Sequence, residues 1–160
     1  MVKVIVIYYS RGGNTRRVAE MLTTTLKEED LEVCMKNVSD VKVEELIQYD
    51  GIAIGSPTYY GQMAGEVKTF LDETVRLHGK LDGKVGLAFT TSGGYGTGGE
   101  TTILSIIQAM LIHGMIVQGD PDDLHYGIII RGMPKDEDLN LIRVKAKRFS
   151  TLLKKLKTAA

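Results

Sequence analysis

The sequence predicts a three-layer α/β protein built on one doubly wound, five-stranded parallel sheet in the order 2-1-3-4-5. Five short blocks, Val2–Tyr9, Leu31–Val38, Gly51–Gly55, Val85–Thr91 and Met115–Gly119, are near-continuously apolar. Strands covered on both faces read this way, because neither face can be left polar. Segments with helical spacing separate the blocks, and β-α alternation repeated five times leaves few topologies once crossovers are right-handed.

Each element has its own signal. After the first strand, Val18, Leu22 and Leu26 recur every four residues and give one apolar helical stripe. The second helix is short, near Val43–Gln48. Val67, Phe70, Leu71 and Val75 mark the third, and Ile103, Ile106, Ile107, Met110 and Leu111 the fourth. In the last, Ile142, Ala146, Phe149, Leu153 and Leu156 form a stripe with Lys and Arg around it. No repeat or low-complexity linker interrupts the pattern, so residues 1–160 are expected to form a single domain.

The bulk properties exclude several functions. With 43% hydrophobic and 25% charged residues the chain has ordinary globular composition. Twenty basic and twenty acidic residues cancel, which removes the long-range field that a nucleic-acid binder uses. Seven Lys/Arg without a carboxylate between Arg143 and Lys157 read as the solvated face of the last helix. The apolar run after Lys3 is too short for a signal-peptide core or a membrane span, so a cytoplasmic chain without membrane insertion is expected. The lone Cys34 reads as a buried, inert thiol.

In a doubly wound sheet of this order, ligands sit outside the carboxyl ends of the strands, near the reversal between strands 1 and 3. The loop after strand 1 is Ser10-Arg11-Gly12-Gly13-Asn14-Thr15. Hydroxyls, glycines and free backbone N–H groups at a helix start form an anion site that takes a phosphate monoester without a metal. There is no Gly-Lys-Ser/Thr for a Walker loop, and no aspartate ends strand 3 as a phospho-acceptor domain requires. The loop after strand 3 holds Pro57-Thr58-Tyr59-Tyr60-Gly61. A tyrosine there can stack on a flat ring while the N–H groups from Thr58 through Gly61 meet the ring's polar edge.

After strand 4 comes Thr91-Ser92-Gly93-Gly94-Tyr95-Gly96-Thr97-Gly98-Gly99. From Gly94 it matches the G-x-G-x-x-G dinucleotide pattern, with Asp120 at about the acidic position. That reading explains one loop and leaves the other two without a task. No His, Cys, Asp and Glu cluster has metal-ligand spacing, and no serine sits in a nucleophile elbow. No catalytic side chain is therefore assigned; a bound cofactor would carry the chemistry.

The stretch from Val6 to Leu22 resembles the flavodoxin signature, through Ser10, Gly13, Thr15, Ala19 and Leu22. Flavodoxin is itself the standard instance of the sheet order above. Arg11, Arg16 and Arg17 depart from it, since typical flavodoxin phosphate loops use neutral donors. Gly55 to Gly65, followed by Lys68-Thr69-Phe70-Leu71-Asp72, and the loop from Ser92 to Thr101 look like the WrbA-type branch of flavodoxin-like NAD(P)H:quinone oxidoreductases. The resemblance implies a flavodoxin-like fold holding FMN, with flavin contacts from Thr58, Tyr59 and Tyr60 and from Thr91 through Gly96. Leu124-His125-Tyr126-Gly127 is similar to a Tyr-Gly loop whose tyrosine approaches the flavin. Leu111-Ile112-His113-Gly114-Met115 resembles the family's His-His-Gly-Met, with Ile112 in place of the histidine beside the flavin. His113 itself reads as a helix-end cation, and His78 as a helix end.

Two functional classes follow from the resemblance, with a third beside them. The first is an FMN electron carrier working with a redox partner protein. The second is an oxidoreductase that takes hydride from NAD(P)H and reduces a quinone or a flavin. The third is an FMN-free interaction module; a homo-oligomer is compatible with each. Neutrality weakens steered docking, whereas the missing insertions around the second loop and after strand 4 weaken the enzyme. The carrier is the expectation.

Overall fold

The computed structural model describes residues 1–159. Its strands are β1 (Lys3–Tyr8), β2 (Glu32–Asn37), β3 (Gly51–Pro57), β4 (Val85–Ser92), β5 (Ile116–Val117) and β6 (Ile128–Arg131). Its α-helices are α1 (Asn14–Glu28), α2 (Gly65–Glu73), α3 (Gly99–Ile112) and α4 (Asp138–Ala159). The sheet runs β2-β1-β3-β4-β5, with every pair parallel. The expected order therefore stands.

Alternation along the strands sorts the core into two layers. Val4, Val6 and Phe89 pack with Val18 and Leu22 of α1 and with Ile142 and Phe149 of α4. Ile5, Ile7 and Ala88 point the other way, onto Phe70 of α2 and Ile103, Ile106 and Met110 of α3. The central strands are buried along their length, whereas β2 at the edge is only half-buried. Cys34 lies on that edge strand and is half-buried, less enclosed than its apolar neighbours in sequence suggest.

The fifth lane departs from the expected Met115–Gly119. Only Ile116 and Val117 pair with β4, opposite Val85 and Gly86. The chain then leaves the sheet and returns as β6, pairing Ile128 through Arg131 with Phe89 through Ser92. Beyond Val117 the run Gln118-Gly119-Asp120-Pro121 leaves the ladder, and the Asp120 N–H turns to the His125 carbonyl at 3.1 Å. A clasp holds the excursion against α4: the buried Lys145 donates to Asp120 Oδ2 at 2.7 Å and to the carbonyls of Leu124 and Asp123. This ion pair, helped by the Asp122 N–H, pulls the Asp120 carboxyl down to about 2.

Two other elements tighten. Val43–Gln48 is a 3-10 helix, and α2 gives way to 3-10 geometry over Thr74–Leu77. The tighter turn brings Thr74 and Leu77 inward and leaves Val75 exposed, against the expected stripe. Leu111 and Leu156, each near a helix end, are also exposed.

His113 caps α3 as a neutral group. Thr74 Oγ1 donates to the Leu71 carbonyl at 2.6 Å, so the 2.7 Å contact with His113 Nε2 takes its proton from the ring. Nδ1 is buried without a partner. Burial, assisted by His78, holds the ring below its ordinary 6.5, which corrects the helix-end cation of the sequence reading.

Two predictions follow from these contacts. A Cβ on Gly55 would come within 1.9 Å of the Phe89 ring, so Gly55→Ala should cost about 1–3 kcal/mol in urea unfolding, and Phe89→Leu should recover part of the loss. Below about pH 6.5 the unfolded chain takes up a proton that folded His113 resists, so stability should fall as pH drops through that range. His113→Gln should flatten that slope; an unchanged slope would assign it to other groups.

Candidate functional site

Parallel strands deliver their loops to one edge of the sheet, and here the loops after β1, β3, β4 and β6 enclose a cavity of about 210 Å³. Ser10, Arg11, Gly12, Asn14, Thr15, Pro57, Thr58, Tyr59, Thr91, Ser92 and Gly93, all singled out from the sequence, line it. Arg11 is the one charged residue among the lining. The residues that line it therefore include no carboxylate to repel an anion.

The β1 loop presents donors. Gly13, at φ 99°, is the N-cap of α1, and no side chain caps the helix. Its N–H is taken by Ser10 Oγ at 3.1 Å. The first-turn N–H groups of Asn14, Thr15 and Arg16 precede the first i→i−4 bond, in which Arg17 N–H donates to the Gly13 carbonyl. No acidic residue lies in that turn, so the helix dipole's positive end is not neutralised locally. Arg16 and Arg17 share Glu20, at 3.1 and 3.4 Å. Arg11 forms no ion pair among the described residues.

Consecutive residues at the end of β4 fasten the two neighbouring loops. Thr91 Oγ1 lies 2.8 Å from Thr15 Oγ1 at the start of α1. Thr90 points to the opposite face, donates to the Ser56 carbonyl at 2.6 Å and receives the Thr58 hydroxyl at 2.9 Å. The Thr58 N–H also donates to the Thr91 carbonyl at 2.8 Å.

The tyrosine loop is a tight two-residue turn. Tyr59 and Gln62 exchange both backbone bonds, at 2.9 and 3.0 Å, while Tyr60 and Gly61 take φ 50° and 74°. Positive φ at both central positions is the type I′ geometry. It carries a conformational cost at Tyr60, the kind of local strain that functional sites concentrate. Gly61 packs on Gly98 so closely that a Cβ on Gly98 would lie 2.5 Å from its Cα. Thr58 and Tyr59 have spent their N–H groups within the fold, which leaves those of Tyr60 and Gly61 without partners and narrows the expected set of ring-edge donors. The Tyr60 side chain is fully exposed and Tyr59 partly so. At the end of β1, a hydrogen bond to Glu66 and then burial raise the Tyr9 hydroxyl above its ordinary value.

Four expected contacts lie elsewhere. Gly94, Tyr95 and Gly96 line a separate cavity of about 350 Å³ on the far side of the β4 loop, where the Arg131 guanidinium stacks on the Tyr95 ring at 4.0 Å. Tyr126 precedes β6, at the entry of a strand whose exit forms the cavity, so the structure does not bring it to the mouth. The His113 segment is also remote, because the 14 residues of α3 carry the chain about 20 Å from the β4 loop. Asp120 is committed to Lys145 and supplies no ribose ligand for a dinucleotide clamp. The residue that sequence reasoning missed is Gly132, which lines the cavity and donates its N–H to the Ser92 carbonyl at 2.8 Å. The run Ile128-Ile129-Ile130 was the signal, because a strand there implies a loop at its carboxyl end.

Comparison with known proteins agrees with this geometry. A family model described as a flavodoxin domain matches residues 5–100. The flavodoxin of Aquifex aeolicus is 38% identical over 86% of this chain and 79% of its own length. An NAD(P)H dehydrogenase (quinone) of Archaeoglobus fulgidus is 33% identical across 98% of this chain and all of that protein. A flavodoxin structure from the domain Archaea superposes with a TM-score of 0.81 at 31% identity, covering 96% of this chain and 99% of that one. With the matched segment ending just past the β4 loop, the three cavity loops that the sequence singled out fall inside it, and the chain belongs to the flavodoxin family.

Proposed function

We propose that this protein binds FMN at the carboxyl edge of its sheet and works as an electron carrier. The observation that carries the reading is the donor set of the β1 loop. Asn14 and Thr15, with first-turn N–H groups uncommitted within the helix, line a cavity together with a buried hydroxyl pair, and its one charge is Arg11. This is the chemistry a phosphate monoester needs, and the partly exposed Tyr59 beside it offers a wall for a flat ring.

In this reading Ser10 through Thr15 hold the phosphate with the Thr91 hydroxyl behind Thr15, Tyr59 and Tyr60 flank the ring, and Ser92 and Gly93 face the sugar chain and ring edge. FMN supplies the electron transfer; the chain supplies orientation, exclusion of water and the local field. Ser10 locks the Gly13 amide, so the β1 loop is formed before ligand arrives, which lowers the ordering cost of binding. The exposed Tyr60 turn would meet a redox partner protein at the open side of the mouth.

A second reading, an NAD(P)H-dependent quinone oxidoreductase, is favoured by the Archaeoglobus relative, similar from end to end. Anaerobic mixing of the FMN-loaded protein with NADH or NADPH separates the two. The carrier predicts slow bleaching of the flavin band, whereas fast bleaching reversed by benzoquinone would establish the enzyme.

The cofactor assignment makes its own prediction. The purified protein should be yellow, or should turn yellow with added FMN, and denaturation should release FMN. Thr15→Val should weaken FMN by about tenfold, the worth of one hydrogen bond to a charged group, and riboflavin much less. Equal losses for both ligands would move the phosphate away from the β1 loop.

A further inference from the structure

Two hydroxyls at the head of the cavity share one hydrogen bond and keep one proton uncommitted. Thr15 Oγ1 and Thr91 Oγ1 are 2.8 Å apart, in residues 1% and 4% exposed. Neither oxygen has a second partner among the described residues. Each hydroxyl carries one proton. One of the two spans the pair, and the other has no acceptor.

The direction of that bond decides where the free proton sits. If Thr15 donates to Thr91, the free proton lies on β4. If Thr91 donates to Thr15, it lies on the first turn of α1, beside the unpaired N–H groups of Asn14, Thr15 and Arg16. Only the second arrangement adds a hydroxyl donor to those amides. A dianion at the helix start draws the Thr15 proton and selects that direction, and a hydroxyl that accepts one bond is polarised into a stronger donor.

We propose that Thr91 is a positioning residue for phosphate recognition: it donates to Thr15 Oγ1, holds that side chain in place, and turns the Thr15 proton toward the anion. The inference rests on the FMN reading above. It adds the residue that sets the preference for phosphorylated over unphosphorylated flavin. Thr91 is well suited to this because its backbone is fixed independently of its side chain. It pairs with Pro57 and Ile130 in the sheet, and its carbonyl accepts the Thr58 N–H. The β-branched side chain also has restricted χ1 freedom.

The test titrates FMN and riboflavin, by quenching of flavin fluorescence, into the wild-type chain, Thr91→Val, Thr91→Ser, Thr15→Val and the Thr15→Val/Thr91→Val double variant. Thr91→Val keeps the shape and removes the hydroxyl. It should weaken FMN about tenfold, one lost charged hydrogen bond, and riboflavin less than about twofold. Thr91→Ser should restore most of the FMN affinity. In the double variant Thr91→Val should cost FMN nothing beyond Thr15→Val, because the two act as one donor. Unfolding midpoints of the ligand-free variants separate folding losses from binding losses. Equal weakening of both flavins, or additive losses in the double variant, would overturn the role of Thr91 while leaving FMN binding intact. A wild-type chain that ignores FMN would overturn both readings.

Discussion

Double burial of the central strands is the constraint from which the site follows. Because β1, β3 and β4 are covered on both faces, their side chains are committed alternately to two helical layers, and a one-residue slip would exchange the two sets. Val4 and Val6 cannot trade places with Ile5 and Ile7 without moving α1 and α4 against the residues meant for α2 and α3. Register is therefore fixed along the whole strand. Where the strands end, the loops inherit that register.

The end of β4 shows what the inheritance does. Its apolar residues alternate between layers up to Phe89, and the same alternation then places Thr91 on the α1 side and Thr90 on the other. Each hydroxyl reaches a different loop, at 2.8 and 2.9 Å. The β1 loop and the tyrosine loop are thus tied to a single strand through adjacent residues. A disturbance of that strand's register would be felt at both ends of a ligand spanning the two loops. Thr90 is satisfied by the Ser56 carbonyl and the Thr58 hydroxyl, whereas the Thr15 and Thr91 pair shares one bond and keeps a proton for a ligand.

How much of this was legible in the sequence depended on which physical signal each element used. Buried strands announce themselves as apolar runs, so β1, β3 and β4 and the three loops they discharge were readable in advance. The fifth lane was harder, because Ile116 and Val117 leave so short a run that the reading extended it to Gly119, across residues that leave the sheet. With β6 unread, its exit loop was unread too, and Gly132 was missed. Tyr95 was assigned to the mouth by the resemblance of its loop to a flavin-binding loop, whereas its ring lies on Arg131, a partner that no local pattern reveals. His113 was read as a cation from its place at a helix end; burial of its ring, with His78 beside it, disfavours the charged form, and its Nε2 meets Thr74, 39 residues away. Local periodicity fixes elements, and long-range pairing decides what their ends face.

The excursion between β5 and β6 carries that last point into the site itself. β6 is only four residues long, and its exit provides Gly132 to the cavity wall. Its entry is held by Lys145, whose ammonium is buried against Asp120 Oδ2 and the carbonyls of Asp123 and Leu124. A buried ammonium is tolerated only when its donors are filled, and here the excursion supplies every acceptor. Removing the carboxylate would leave the cation uncompensated and the excursion without its anchor. The depression of Asp120 to about 2 keeps the clasp charged as pH falls, and it weakens only when pH drops below the ordinary carboxylate range toward that value. An ion pair far from the cavity thereby holds one of its four walls, a dependence that neither the family signature nor the cavity lining would reveal.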